Sequence, residues 1–166
     1  GLGCDISHPE AIEKICAIKK VNPEKANLSF ICADLSDLSL YAKAIDNSLF
    51  RIMKKVLPGP FTLILPASKQ VPKILQSKKK TIGLRIPNNN IALSIIKTLG
   101  HPILSASFPG ETIEDYTDPE LIYEHWGHQI DMVVDGGIGG ITPSTVVDCT
   151  SEPYSIIRQG AGVWDY

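Results

Sequence analysis

Several features that identify large classes of protein are missing from this sequence. No apolar run approaches the roughly 18 residues needed to span a bilayer. The sequence contains no Walker A motif, no Gly-x-Ser-x-Gly elbow and no Gly-x-Gly-x-x-Gly after a predicted strand. Its motifs therefore give no support to a membrane protein, a P-loop enzyme, an elbow-type hydrolase or a dinucleotide-binding domain.

The cysteines and histidines also form no recognised site. The four cysteines are scattered without a Cys-x-x-Cys pair, and the four histidines show no closed metal-ligand spacing. His125 and His128 are three residues apart, but the tryptophan and glycine between them are more typical of a helix end. We expect no bound metal. Because free thiols persist in reducing compartments, we also expect a cytoplasmic protein.

Length and charge say more about what is present. A chain of 166 residues, 43% of them hydrophobic, predicts a single domain over residues 1–166 that buries about two thirds of its unfolded surface. The net charge is only -2, yet residues 1–85 contain 14 Lys/Arg against 7 Asp/Glu, and the remainder contains 2 against 11. This asymmetry indicates an anionic partner. For the lysine run 78–80 alone, a solvated turn before a strand is the simpler interpretation.

Hydrophobic periodicity predicts an α/β domain, because helical and strand patterns alternate through the first two thirds of the chain and strands crowd near its end. Ser7 and Glu10 have the spacing of a capping box at the first helix. The predicted helices cover about 8–20, 46–56, 90–99 and 119–125, and the predicted strands about 28–32, 61–65, 81–86, 103–105, 132–134, 145–147 and 155–157. The order favours a twisted mixed sheet flanked by helices.

A few polar residues stand at the ends of apolar strands, where binding groups commonly lie. Arg85 is flanked by residues expected to be buried, so it needs a protein carboxylate or an anionic ligand. Ser105 and Ser107 place two hydroxyls on one side of an extended chain, although a plain turn is an equal alternative. Ser144 begins a similar arrangement. Arg158 at a strand end suits either phosphate binding or a structural salt bridge.

Five blocks, in order and spacing, resemble the YrdC-like family, and the resemblance covers essentially the whole chain. The blocks are Gly1–Asp5, Leu57–Thr62, Thr81–Pro87, Pro143–Asp148 and Ile157–Gly162. The resemblance implies a twisted α/β sheet with a basic concave face. For the active branch it implies a threonylcarbamoyl-AMP synthase, which combines threonine, bicarbonate and ATP, usually with magnesium, releases pyrophosphate and supplies a modification of tRNA.

The resemblance also implies roles for individual residues. Contacts to ATP and its phosphates are implied for Lys19, Lys20, Ser105, Ser107 and Arg158, and contacts to threonine for Arg85 and Ser144. No catalytic residue and no metal ligand of the protein is implied. We expect a monomer or weak dimer that binds no membrane.

Two departures from the family pattern make the chain resemble the YciO branch more than the enzyme proper. Val21 replaces the arginine of a Lys-x-Arg motif, and Phe108-Pro109 stands where an asparagine region is usual. Two alternatives to a synthase stay open: a non-catalytic protein that binds double-stranded RNA, tRNA or the ribosome, and an adenylating enzyme of altered substrate choice. Because family members carry a Pro-Thr-Asp-Thr stretch before the Gly-Leu-Gly block, we expect a further strand upstream of Gly1.

Overall fold

The computed structural model describes residues 1–23, 26, 28–75 and 80–166. Within this part of the chain, seven strands form one sheet: β1 Leu2–Asp5, β2 Ser29–Ile31, β3 Phe61–Pro66, β4 Thr81–Arg85, β5 Ile103–Ala106, β6 Thr145–Asp148 and β7 Ser155–Arg158. The α-helices are α1 Pro9–Ile18, α2 Leu35–Tyr41, α3 Asn47–Val56, α4 Asn90–Leu99, α5 Glu114–Thr117 and α6 Pro119–Trp126.

The sheet is mixed, as the sequence predicts. Its strand order is β1-β5-β2-β4-β3-β6-β7. The pairs β2–β4 and β3–β6 are parallel, and the other neighbouring pairs are antiparallel. The order differs strongly from the chain order, so residues that are far apart in sequence become neighbours across the strands. The α/β fold prediction is therefore confirmed.

One face of the sheet carries the hydrophobic core. Every second side chain along a strand points to this face, and the fully buried ones include Phe30, Leu63 and Leu84. They join one cluster with apolar side chains of α1, α2 and α3. Burying such side chains contributes about 1.5–3 kcal/mol each, which makes this layer the main source of stability. The opposite face of the sheet is lined by the residues of the other parity, which are polar or small at many positions.

Local capping signals set the helix boundaries at four places. Asn89 caps α4 by accepting a hydrogen bond from the Ala92 N–H, and Gly100 ends it with φ of 78°, a conformation that glycine adopts without a steric penalty. The N-caps whose side chains accept backbone N–H bonds are Asp34, Asp46, Asn89 and Asp118.

Among the described helices, none has the length and apolar character to cross a membrane.

Two local predictions are wrong. The capping box does not form, because the Ser7 hydroxyl donates to Asp5 at 2.6 Å and α1 starts at Pro9 after His8, whose side chain makes no cap bond. Residues 132–134 form no strand, because they pair with none of the described strands; Met132 is 75% exposed. Local β-propensity is not enough where no partner strand is available.

Candidate ligand-binding site

A row of very small side chains crosses the polar face of the sheet. Gly3 pairs with Ser105, Ser105 with Ser29, and Ser29 with Gly83, so four adjacent strands present glycine or serine at one level. At about 4.8 Å between strands, this small-residue row is about 14 Å long. A Cβ on Gly83 would lie 2.8 Å from the Ser29 Oγ. Because none of these four positions carries more than a hydroxymethyl group, main chain makes up much of this strip of the sheet, which we call the trough.

Arg85 stands one level along the sheet from this trough. It pairs with Ile31 on β2, and its Nε is buried without a hydrogen-bond partner among the described residues. None of the ion pairs in that part of the chain includes it. Burial and the charge of Arg158 lower the pKa of the Arg85 guanidinium. A buried donor left without a partner costs about 1–3 kcal/mol, and an anionic ligand would remove that cost.

Arg158 is held beside a pair of buried hydroxyl groups. Its Nε and Nη2 donate to the Ser144 carbonyl at 3.1 and 2.8 Å, and Nη2 also reaches the Ser144 Oγ at 3.2 Å. The Ser144 Oγ in turn lies 2.8 Å from the Thr62 Oγ1, and both of these side chains are buried. Nη1 of Arg158 makes no hydrogen bond to the described residues, so among them this end of the guanidinium remains available to a ligand.

A β-bulge brings Arg158 to this position. β7 pairs with β6 through Ile156 opposite Val147 and then Arg158 opposite Val146, so the ladder skips Ile157. In a regular ladder, Ile157 would stand opposite Val146. Bulges at sheet edges commonly redirect one side chain, and here the redirected residue is the arginine.

Lys19 connects the end of α1 to the end of β5. Its Nζ donates to the Ser107 carbonyl at 2.8 Å, which brings two of the predicted phosphate residues into contact. The helix ends in a Schellman motif, in which the Lys20 N–H bonds Ala17 and the Val21 N–H bonds Cys16, each at 3.0 Å. Lys20 occupies the left-handed position of this motif with φ of 54°. The helix end thus fixes the backbone at Val21, the position where the chain departs from the Lys-x-Arg motif.

Five of the seven predicted site residues therefore fall into two groups. Arg85, Ser144 and Arg158 form an arginine cluster, in which a predicted ATP residue contacts a predicted threonine residue. Lys19 and Ser107 form the second group, and Ser105 lies in the small-residue row. Lys20 is exposed beside Lys19. Their roles stay predictions.

Sequence reasoning missed several residues of this face. No sequence signal marks these residues as part of a site, although each alternates with apolar residues along its strand: Thr62, Ser29, Gly3 and Gly83. The alternation identifies the face of each strand. Only the strand order shows that these positions are neighbours.

The positive charge of the first half of the chain is not confined to this face. Arg51, Lys54 and Lys55 are exposed on α3, on the helical side of the sheet. Lys54 lies over the Phe50 ring at 5.0 Å, and Lys55 lies over the Tyr166 ring at 5.2 Å.

In the described residues, no group of three or more His, Cys, Asp and Glu side chains has the arrangement to hold a metal ion.

The chain is similar in sequence and structure to proteins of one family. The model of the Sua5/YciO/YrdC family, described as telomere recombination, matches residues 1–160. An uncharacterized protein of Haemophilus influenzae is 44% identical over 164 residues, which are 97% of this chain and 78% of that protein. The crystal structure of Escherichia coli YciO superposes with a TM-score of 0.88 at 40% identity, covering 97% of this chain and 78% of YciO.

A more distant relative has a named activity. The threonylcarbamoyl-AMP synthase of Pyrococcus abyssi is 30% identical over 161 residues, which are 96% of this chain and 47% of the synthase. The crystal structure of P. abyssi Sua5 complexed with L-threonine superposes with a TM-score of 0.84 at 29% identity, covering 95% of this chain and 46% of Sua5. The chain spans about half of that longer protein.

Proposed function

The chain belongs to the Sua5/YciO/YrdC family, and from this premise we propose that it is a threonylcarbamoyl-AMP synthase-like nucleotidyltransferase. Its substrates would be threonine, bicarbonate and ATP, and its product an activated carbamate for tRNA modification. The observation that carries the proposal is the half-buried Arg85 side chain, whose buried Nε has no hydrogen-bond partner among the described residues and whose charge is opposed by that of Arg158. Such a pair is costly without an anion and favourable with one.

The proposed reaction is displacement at phosphorus. The threonine amine and bicarbonate first give a carbamate and water. A carbamate oxygen then attacks the α-phosphorus of ATP, and the bond to the bridging oxygen of the β-phosphate breaks, so pyrophosphate leaves. A magnesium ion would enter with the triphosphate, neutralise part of its charge and stabilise the leaving pyrophosphate.

The chain's own residues would bind and orient the two anions. Arg85 and Ser144 would hold the threonine carboxylate and a neighbouring polar atom, while Arg158 and Lys19 would face the phosphates. Because Arg158 already bonds Ser144, the two substrates would lie side by side at the arginine cluster. Holding reactants in this way accounts for much of the rate enhancement of transfer enzymes.

The test is threonine-dependent pyrophosphate release from ATP, with threonylcarbamoyl-AMP identified by mass spectrometry. We expect Arg85→Ala and Arg158→Ala each to lower kcat/KM about a hundredfold, since each removes a charged contact to a substrate anion. Arg51→Ala, at an exposed arginine on α3, is the matched control and should leave the rate unchanged. Absence of threonine-dependent release from the wild-type protein would overturn the proposal.

Val21 allows a sharper version of the same test. Val21→Arg restores the cation of the Lys-x-Arg motif at an exposed position, so we expect faster pyrophosphate release. If other amino acids support release better than threonine, the altered-substrate alternative is favoured. An unchanged rate with Val21→Arg would show that the position has no role in phosphate binding here.

A second candidate, a protein that binds RNA, is favoured by a different observation. Residues 47–110 contain ten Lys/Arg and no Asp/Glu. Three exposed lysines lie close to Ala67: Lys43, Lys69 and Lys80. The Ala67 N–H donates to the Lys80 carbonyl at 2.8 Å, and Ala67 forms a β-bridge with Ala42, the residue before Lys43. None of the ion pairs in the described part of the chain involves these three lysines. Phosphate groups would be suitable partners.

This candidate predicts binding that weakens steeply with salt. The triple variant Lys43→Gln/Lys69→Gln/Lys80→Gln should lower the salt slope of RNA affinity by about 2–3, since each phosphate contact contributes about 0.7–0.9. The charge-matched variant Arg51→Gln/Lys54→Gln/Lys55→Gln on α3 should change it much less. RNA affinity that does not depend on salt would rule out this surface.

A further inference from the structure

We propose that Thr145 is a positioning residue, whose buried hydroxyl fixes Arg158 in the arginine cluster through the turn formed by residues 159–162. The functional consequence rests on the proposed function, because it assumes that Arg158 faces the nucleotide. Thr145 itself does not touch a substrate in this proposal. It lies at the start of β6 and is fully buried.

The Thr145 hydroxyl has its full complement of hydrogen bonds. Its Oγ1 donates to the Gly162 carbonyl at 2.6 Å and accepts from the Gly160 and Gly162 N–H groups, each at 3.0 Å. A hydroxyl has one donor and two acceptor sites, so none remains for another partner. One side-chain atom thus organises the main chain of the turn.

Close packing holds this turn against the start of β6. A Cβ on Gly160 would collide with the Pro143 carbonyl oxygen and would lie 2.5 Å from the Ser144 carbonyl carbon. A Cβ on Gly162 would collide with the Phe61 ring. Glycine at these two positions therefore lets the turn approach closely enough to reach the Thr145 hydroxyl.

Both sides of Arg158 depend on this arrangement. The turn begins at the residue after Arg158, and the acceptors of its guanidinium belong to Ser144, the residue before Thr145. The bulge at Ile157 leaves an alternative register, in which Ile157 would stand opposite Val146. Without the hydroxyl, the buried Gly162 N–H and the half-buried Gly160 N–H lose their acceptor, and the fixed end of the bulged strand is released. The Thr145 hydroxyl thus selects the register that presents the arginine.

The first test compares Thr145→Val with Thr145→Ser. The valine keeps the shape but loses all three hydrogen bonds, whereas the serine keeps the hydroxyl. We expect Thr145→Val to weaken ATP–magnesium binding, measured by calorimetry, about tenfold, which is the effect of one lost charged contact, and Thr145→Ser to stay within about twofold. Val147→Ala, at a fully buried neighbour on β6 whose side chain forms none of these hydrogen bonds, controls for lost stability.

A double-mutant cycle separates positioning from a general loss of structure. If Thr145 acts through Arg158, Thr145→Val should weaken ATP binding by less than about twofold when Arg158 is already alanine. Equal effects in both backgrounds would overturn the inference. If Thr145→Val does not fold, Gln159→Leu removes only the outer bonds to Gly160 and Gly162 and should show the same dependence on Arg158.

A spectroscopic measurement tests the geometry independently of activity. The chain has three arginines, so the Nε–H region of a nitrogen-15 NMR spectrum contains three side-chain signals, assigned by Arg51→Lys and Arg158→Lys. The Arg158 signal should exchange slowly with water in the wild type and in Thr145→Ser, and fast in Thr145→Val. Unchanged protection in Thr145→Val would refute the positioning role. A wild-type protein with this protection but no ATP binding would refute only the proposed function.

Discussion

Replacing Arg85 with methionine should stabilise the ligand-free protein and abolish its response to threonine. Methionine keeps most of the length of the arginine side chain, so packing along the strand is preserved. The substitution removes the buried Nε, which has no hydrogen-bond partner among the described residues, and it removes the charge that faces Arg158. A residue retained for ligand binding is expected to carry such a stability cost.

The size of the effect follows from burial. An unsatisfied buried donor costs about 1–3 kcal/mol. Because the Arg85 side chain is only partly buried, we take the lower end, about 1 kcal/mol, which corresponds to a rise in Tm of about 2–4 °C for a domain of this size. The repulsion between Arg85 and Arg158 is screened by salt, so the gain should be largest at low ionic strength.

Thermal unfolding followed by circular dichroism measures both parts of the prediction. Wild-type protein with L-threonine at a hundred times its Kd should gain about 2.7 kcal/mol, whereas Arg85→Met should gain little. Arg51→Met, at an exposed position on α3, should change stability by less than about 0.5 kcal/mol. A methionine variant that is less stable than the wild type, or that keeps the full response to threonine, would refute the reasoning.

Three further changes test other parts of the structure. Lys20→Gly should raise the free energy of unfolding in urea by about 1 kcal/mol, because φ of 54° is strained for lysine, and an unchanged value would contradict that strain. Burial raises the pKa of Asp5, but hydrogen bonds from Ser7 and two nearby histidines outweigh it and leave the pKa below its ordinary value. The stabilisation by Asp5 is therefore present above pH 4, near the pKa in the unfolded chain, and lost as the pH falls through the folded-state value, so Asp5→Asn should flatten the acid limb of a stability–pH curve. Burial and the neighbouring Asp148 raise the pKa of the Cys149 thiol to about 12, so at pH 8 iodoacetamide should label Cys149 only after urea is added, and rapid labelling of native protein would show the thiol to be accessible.

Elements with strong local signals are the ones that the sequence predicts well. α3 begins after the Asp46 cap and α4 lies between the Asn89 cap and Gly100, as their residues indicate. β1 was not predicted, because its four residues gain their structure from pairing with β5, about a hundred residues away in sequence. The apolar run at 132–134 shows the reverse case, since strand propensity without a partner strand forms no ladder.

The site shows the same division between local and non-local information. Arg85 and Arg158 stand out in the sequence because charged residues are unusual beside apolar strands. Their convergence depends on the strand order and on a one-residue bulge at the sheet edge, which no local pattern encodes. The role of Thr145 is visible only once the turn after β7 lies against β6, because its three hydrogen bonds join residues 15 and 17 positions apart.

The small-residue row has a consequence for how such a site is lost. A pocket walled by large side chains fails when one of them is cut back, but a trough floored by glycine and serine fails when a residue grows. At Gly3 an added Cβ would stand 3.2 Å from the Leu104 carbonyl oxygen, and at Gly83 it would press on the Ser29 hydroxyl. Enlarging either position would obstruct the trough while every charge of the arginine cluster stays in place, so steric access and charge can be separated experimentally in this fold.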